Sequence, residues 1–180
     1  MERTVTRIAL FAALIAVLGL FPSFMLFAGV PISAQSLGVM LAGTILGARR
    51  GALAVLLFLA LVALGLPLLA GGRGGLGVFV GPTAGFLFGF PVAAYVAGLI
   101  AQKLRRVDLL VSATAGALIG GVLVLYVFGA LGMMLVTELG FAQVLATLSV
   151  FIPGDIIKAV LCGFLTRSIF MARPSLVATR

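Results

Sequence analysis

Acidic residues are scarce in this chain. It has four Asp and Glu among 180 residues, one cysteine, no histidine and no tryptophan. A single cysteine excludes a disulfide framework, and the lack of histidine removes the Cys/His spacings of metal sites. Charged residues of both signs make up 9% of the chain, against about a quarter in soluble domains. The chain therefore lacks the polar exterior that a soluble fold of this size needs.

Apolar residues fill most of the sequence instead. They make up 63% of it, and the mean hydropathy is +1.37. The apolar runs are about twenty residues long, as in transmembrane helices, and do not alternate as barrel strands do. We predict an all-α integral membrane protein, in which residues 1–180 form a single domain embedded in the lipid bilayer.

Six transmembrane helices are predicted in one bundle. The first run follows a basic N-terminus like a signal peptide, but no small-residue cleavage site follows it, so we predict an uncleaved span. The predicted spans are residues 6–27, 36–47, 51–69, 83–102 and 109–136, and a sixth that follows residues 137–143 and reaches about residue 171.

Basic residues predict the orientation of the bundle. Ten of the twelve Lys and Arg precede the first span, lie between spans 2 and 3 or 4 and 5, or close and follow the sixth. Lys and Arg concentrate in cytoplasmic loops, so both termini are predicted to be cytoplasmic. The net charge of +8 is then a product of membrane topology, and no nucleic-acid partner is expected.

Two opposite charges interrupt the sixth apolar run. Asp155 and Lys158 stand three residues apart and share one helix face, after Pro153, which suits a first helical turn. Charges at membrane depth usually face a bundle interior or a cavity. The pair could be a neutralising ion pair that tolerates burial. It could also bind a small polar group with N–H donors and a carbonyl, such as a ureido or an amide.

Two predicted outer connections carry further candidates. Residues 70–85 are dense in glycine, which suits a flexible loop or a lid whose backbone approaches a ligand. Arg73 and Thr83 are candidates there to bind an anionic end of a ligand. In the connector of residues 28–35, Ser33 and Gln35 are the polar groups, and they could equally be solvated.

Small residues recur on the first predicted helix. The pairs Ala9/Ala13 and Ala12/Ala16 form a small-xxx-small pattern that permits close helix packing. The pattern could serve packing inside the bundle or docking of another membrane protein.

Several motifs together resemble one family. "VPISAQ" (30–35), "GARRG" (47–51), "AGGRGGLGV" (70–78), "GPTAG" (81–85) and "IPGDIIK" (152–158) stand in the order and spacing of the BioY family. These proteins are the substrate-binding S components of energy-coupling-factor (ECF) biotin transporters. The resemblance spans about residues 28–170. Two positions depart from it: Ala84 replaces a common glycine, and Arg73 interrupts a run of small residues.

The resemblance implies a site and partners. Biotin would be a transported substrate, with no cofactor. Asp155 would accept the ureido N–H groups, Lys158 would approach the ureido carbonyl, and the two connections would close over the ligand. Contacts are expected from Ser33, Gln35, Arg73, Gly74, Gly75, Phe79, Thr83 and Gly85. The partner of the biotin carboxylate stays open. Ala9, Ala12, Ala13 and Ala16 would dock on a transmembrane coupling (T) component, which works with two ABC ATPases in a bacterial or archaeal cytoplasmic membrane.

Other functions predict different observations. The chain has no Walker motif, so uptake must draw energy from partner ATPases or from an ion gradient. The alternative is a stand-alone secondary transporter for biotin or a similar vitamin, in which Asp155 takes up a proton. An intramembrane enzyme is disfavoured by the absence of histidine, by the embedded cysteine and by the lack of a carboxylate pair.

Overall fold

Helices account for most of the part of the chain that the structure describes. The computed structural model describes residues 2–21, 24–25 and 31–179. The helices are α1 (Glu2–Gly19), α2 (Gln35–Leu46), α3 (Ala48–Ala63), α4 (Ala84–Lys103), α5 (Leu109–Leu118), α6 (Leu125–Val136), α7 (Phe141–Ser149) and α8 (Ile152–Ala172). A π-helical segment (Ile119–Val124) joins α5 to α6, and short 3₁₀ turns cover Leu76–Phe79 and Pro174–Leu176. Two short antiparallel strands, β1 (Phe24–Met25) and β2 (Pro31–Ile32), pair Phe24 with Ile32.

Helix α4 is the central helix of the bundle. It contacts α2, α3, α5 and α6, and much of its length is small residues and buried. At Gly85, a Cβ atom would overlap the carbonyl oxygen of Phe128 and the backbone of Gly132. The backbones of α4 and α6 therefore touch, and this contact holds the first turn of α4 against α6.

Helices α2 and α3 are joined by one residue. Gly47 has a φ of +82°, a conformation that residues with a side chain rarely adopt. Its N–H donates to the carbonyl of Gly43, and its carbonyl accepts from the N–H of Gly51. Arg49 and Arg50, which were predicted to lie between two spans, consequently lie in the first turn of α3.

The outer surface of the bundle is apolar. Leucine, isoleucine, valine and phenylalanine side chains on several helices are more than half exposed: Leu10, Leu123, Val127, Leu131, Ile157 and Phe164. Ala84–Lys103 and the continuous helix Leu109–Val136 are long and apolar enough to cross a membrane. The pair α7–α8, bent by 50°, would add a third crossing as one broken span. These helices confirm the all-α membrane class, while six spans and cytoplasmic termini stay predictions.

Three predicted boundaries were wrong. Helix α1 ends at Gly19 and not at residue 27, because the proline after Phe21 disfavours helical backbone there. Helix α3 ends at Ala63 and not at residue 69, since Gly65 adopts a φ of +99°.

The third wrong boundary lies in the sixth predicted span. This span is divided into α7 and α8, because Pro153 cannot donate the hydrogen bond that would continue α7. Residues 22–23 and 26–30, which include part of the first predicted span and of the connector 28–35, lie outside the described residues.

Candidate ligand-binding site

A cavity opens where the first turns of α2, α4, α6 and α8 meet the loop that follows α3. Its empty volume is about 620 Å³ including the open mouth. We call it the ligand cavity. Its lining combines polar side chains with aromatic and aliphatic ones: Ser33, Gln35, Ser36, Leu69, Ala70, Arg73, Thr83, Phe86, Leu87, Phe90, Leu125, Tyr126, Phe151, Asp155 and Lys158.

Asp155 is the acidic group of this cavity. The residue is 6% exposed, and its N–H donates to the carbonyl of Phe151 in the first turn of α8. The positive end of that helix favours a carboxylate there. Oδ1 lies 2.8 Å from Lys158 Nζ and accepts at 3.3 Å from the hydroxyl of Ser36, and Oδ2 accepts from the Tyr126 hydroxyl at 2.7 Å. A carboxylate offers about four acceptor positions, so Asp155 has capacity left for a ligand.

Lys158 has no such spare capacity. Its ammonium donates to Asp155 Oδ1 at 2.8 Å, to the backbone carbonyl of Ser33 at 2.8 Å and to Ser36 Oγ at 3.1 Å. An ammonium has three N–H donors, so a ligand carbonyl would have to replace one of these partners. Lys158 thereby ties the segment before α2 to α8. Asp155, Lys158, Ser36 and Tyr126 are named the charged cluster below.

Tyr126 and Ser36 line the cavity but were not among the site residues predicted from the sequence. Tyr126 follows the π-helical segment Ile119–Val124 by two residues, and it is half-buried with its ring against the core. A buried tyrosine hydroxyl generally requires a hydrogen-bond partner, and the chain has only two tyrosines. The scarcity of tyrosine is the sequence feature that could have identified Tyr126 as a site residue. For Ser36, the only such feature is its position next to Gln35.

Gln35 lines the cavity, but its amide binds the protein's own backbone. Nε2 donates to the carbonyls of Ile15 at 3.2 Å and Leu68 at 3.0 Å, and Oε1 accepts from the N–H of Ala70 at 3.0 Å. The residue is 2% exposed. Both amide donors are used, so Gln35 holds the start of the loop after α3 against α1 and α2.

Arg73 and Thr83 also line the cavity. Arg73 Nε donates to the carbonyl of Ala70 at 3.1 Å, and its backbone pairs with that of Leu69. Partial burial lowers the pKa of the guanidinium below its ordinary value, yet an arginine stays charged in proteins. Its terminal nitrogens give the mouth of the cavity a cation. Thr83, just before α4, is 6% exposed.

Four predicted contacts do not line the cavity. Gly74 packs against the backbone of Leu66, and Gly75 donates its N–H to the carbonyl of Val62 at 2.8 Å. Phe79 packs its ring at 5.8 Å from that of Phe88, and Gly85 permits the contact of α4 with α6 described above. In the described structure these glycines shape the loop and the helix packing, and a ligand would meet them only after a rearrangement.

The four alanines of α1 divide between two environments. Ala9 and Ala13 are exposed, whereas Ala12 is 2% exposed and Ala16 packs against the core. The Ala12/Ala16 pair therefore serves packing within the bundle, as the alternative interpretation held, and only Ala9 and Ala13 are accessible to a partner.

A second polar cluster lies deeper on the same face of α8. The Thr44 hydroxyl lies 2.9 Å from that of Thr166 and 3.3 Å from Cys162 Sγ, and the Thr179 hydroxyl donates to the Thr44 carbonyl at 2.7 Å. All four residues are at most 2% exposed, and they are named the neutral cluster. No group of three His, Cys, Asp or Glu that could hold a metal ion occurs among the residues the structure describes.

Known proteins resemble this chain over most of its length. The family model described as "BioY family" matches residues 2–175. A "Biotin transporter BioY" of Rhodobacter capsulatus is 54% identical and covers 100% of both chains. A "Probable biotin transporter BioY" of Bacillus subtilis is 43% identical over 92% of this chain and 89% of its own. A crystal structure of the S-component for biotin from an ECF-type ABC transporter superposes with a TM-score of 0.88 at 33% identity, covering 93% of this chain and 90% of that one. The chain belongs to the BioY family.

Proposed function

We propose that this chain is a membrane transport protein, and not an enzyme, that captures biotin as the S component of an ECF-type ABC importer. The observation that carries the proposal is the charged cluster, in which a buried carboxylate with a free acceptor position lies beside an ammonium in a cavity with aromatic and aliphatic walls. Membership of the BioY family supports biotin as the ligand, and so does the similarity of this chain to the crystal structure of an S-component for biotin.

The ureido ring of biotin matches the charged cluster in its hydrogen-bonding groups. Its two N–H groups are donors. One can bind the free acceptor position of Asp155, and the other would replace the Ser36 hydroxyl, whose 3.3 Å contact is the longest that the carboxylate makes. Its carbonyl is an acceptor, and it would take over one of the three donors of Lys158. Two of the three present partners of Lys158, the carbonyl of Ser33 and the hydroxyl of Ser36, belong to the start of α2 and the segment that leads into it. Ligand binding would then be coupled to movement of the segment before α2.

The apolar lining suits the rest of the ligand. Phe86, Phe90, Leu125 and Phe151 surround a space that can exclude water from a fused ring and an alkyl chain. We infer that the carboxylate points to the mouth, where Arg73 supplies the cation. Arginine binds carboxylates through two parallel N–H donors, and the terminal nitrogens of Arg73 are oriented by its Nε bond to Ala70.

Energy for uptake would come from partner subunits. We propose a transmembrane coupling component and two ABC ATPases, with the chain placed as six spans in the cytoplasmic membrane and both termini inside. Capture would occur from the extracytoplasmic side, and ATP hydrolysis would reorient the bundle through the coupling component. The exposed pair Ala9/Ala13 offers that component a smooth face on α1.

Titration of the purified chain with biotin tests the capture step, and uptake assays test the energy source. We expect saturable calorimetric binding without any partner, and biotin uptake in cells only when the coupling component and ATPases are present. No detectable binding would remove biotin as the ligand. Uptake that survives deletion of the ATPases and follows the proton gradient would instead favour the stand-alone secondary transporter.

A bulky side chain on α1 tests the docking surface. Ala13→Trp should leave biotin binding within about twofold of wild type and abolish co-purification with the coupling component, because helices pack closely only over small residues. Val127→Trp, at another exposed position, is the control and should co-purify normally. Equal co-purification of both variants would show that the partner docks elsewhere.

A further inference from the structure

A second cavity lies at the opposite end of α4 from the ligand cavity. It has an empty volume of about 810 Å³ including its open side. We call it the basic crevice. It is lined by residues of the α2–α3 junction, the second half of α4 and the C-terminal segment: Leu46, Gly47, Ala48, Arg49, Arg50, Tyr95, Leu99, Gln102 and Ala178.

Among the residues that the structure describes, the two arginines of the crevice have no acidic partner. Arg49 and Arg50 are both exposed. The ion pairs found in the described ranges are Asp155–Lys158 and Asp108–Arg167, and neither involves these arginines. The lining includes no Asp or Glu. The crevice thus presents two uncompensated positive charges.

The depth of the crevice matches the edge of a bilayer. Thr83 lines the ligand cavity and Gln102 lines the crevice, and the 19 residues between their positions in α4 span about 28 Å at 1.5 Å per residue. A hydrocarbon core is about 30 Å thick. If the ligand cavity lies near one interface, the crevice lies at the headgroup level of the other.

The walls of the crevice change from polar to apolar along α4. Gln102 lies beside Gly47, where a Cβ atom would come within 2.6 Å of its Nε2. Leu99 and the 40%-exposed Tyr95 follow on the same side of the helix, and Tyr95 lies about 10 Å nearer the bilayer centre than Gln102. The crevice therefore continues from two cations at the interface to an apolar wall within the membrane.

We propose that the basic crevice binds one anionic phospholipid. Arg49 and Arg50 hold its phosphate, since guanidinium groups form paired hydrogen bonds to phosphate oxygens. Gln102 contacts the glycerol region, and Leu99 and the ring of Tyr95 contact the first part of an acyl chain. A free phosphate would satisfy the arginines equally, but it would leave the apolar wall unused.

Native mass spectrometry of the purified full chain tests this site. The protein is mixed with phosphatidylglycerol, with phosphatidylcholine or with inorganic phosphate, and the bound fraction is measured for wild type, Arg49→Gln/Arg50→Gln and Arg3→Gln/Arg7→Gln. The last variant removes the same charge from α1, outside the crevice. Biotin binding, measured on each variant, reports correct folding independently of lipid.

We expect phosphatidylglycerol to bind wild type and the α1 variant alike. It should bind the crevice variant about 10- to 30-fold more weakly, since each arginine near an anionic lipid contributes about a tenfold factor or less. Phosphatidylcholine should bind all three weakly. Equal phosphatidylglycerol binding by the crevice variant would overturn the proposal. Displacement of the lipid by millimolar inorganic phosphate would also overturn it, by showing a site for a soluble anion.

Discussion

The charged and neutral clusters lie on one face of α8 and both reach α2, but they differ in charge and in access. Asp155 and Lys158 line the ligand cavity, and the Asp155 carboxylate has a free acceptor position. Thr44, Cys162 and Thr166 are 0% exposed and bond to one another or to backbone. The same helix face therefore presents candidate ligand-binding groups near its start and holds two helices together further along.

The difference shows how polarity is used in an apolar bundle. A neutral hydroxyl can donate its hydrogen bond to a backbone carbonyl of its own helix, as the Thr44 hydroxyl does to the carbonyl of Met40 at 3.1 Å. A carboxylate cannot, because its desolvation requires several donors. A buried charge at this depth consequently requires a network of hydrogen bonds. Where that network leaves one acceptor position free, a ligand donor can bind. Substitutions in the two clusters should separate ligand affinity from stability.

The largest effect is expected from Asp155→Asn. The substitution removes the charge that we propose receives the ureido N–H groups, and it leaves Lys158 without a counter-charge. Hydrogen bonds to charged groups contribute about 1.5–3 kcal/mol, so biotin affinity should fall about 10- to 150-fold by calorimetry. Glu138→Gln, an exposed position with the same change in charge, should bind biotin as wild type does. Equal affinities for Asp155→Asn and wild type would place the ligand elsewhere.

A smaller effect is expected from Tyr126→Phe. The phenylalanine keeps the ring in the core and removes only the hydroxyl that donates to Asp155 Oδ2. Loss of one hydrogen bond of about 0.5–1.5 kcal/mol predicts a two- to twelvefold loss of biotin affinity, roughly. Tyr95→Phe changes the other tyrosine, in the second half of α4 and outside the ligand cavity, and should leave the titration unchanged. An unaltered affinity for Tyr126→Phe would mean that its hydroxyl does not orient the carboxylate.

The smallest effect on binding is expected from Thr44→Val in the neutral cluster. The isosteric change removes the hydroxyl shared with Thr166 and should lower the free energy of unfolding by about 0.5–1.5 kcal/mol. Thr44 lies eight residues from Ser36 along α2, about 12 Å away, so biotin affinity should not change. Denaturation in detergent and titration of the same sample measure both quantities. A tenfold loss of affinity would show that the two clusters act as one unit.

Much of the helical architecture could be predicted from local sequence. The α4 and 109–136 spans are close to their predicted bounds, because long apolar runs end in charged or polar segments there. The bend between α7 and α8 was missed although Pro153 was recognised as a helix start. A proline can begin a helix after a turn or after another helix, and the sequence alone does not distinguish the two.

The polar centre of the site was predicted better than its surroundings. Asp155 and Lys158 could be found because charges in an apolar helix are rare and costly. The roles of the glycines in residues 70–85 could not be predicted in this way. A glycine permits close contact but does not determine whether the contacting group is backbone or ligand. Tyr126 lies after a π-helical segment, where an altered hydrogen-bond period rotates every later side chain relative to a regular α-helix. Gln35 was identified, but its choice of backbone partners depends on tertiary contacts with Ile15, Leu68 and Ala70.

A crystal structure of the protein with biotin bound would show directly whether the charged cluster binds the ureido ring. We expect both ureido N–H groups within hydrogen-bond distance of the Asp155 carboxylate, the ureido carbonyl on Lys158 Nζ in place of one present partner, and the biotin carboxylate at the mouth beside Arg73. A complex in which the biotin carboxylate occupies Lys158 and the ureido ring lies away from Asp155 would contradict it.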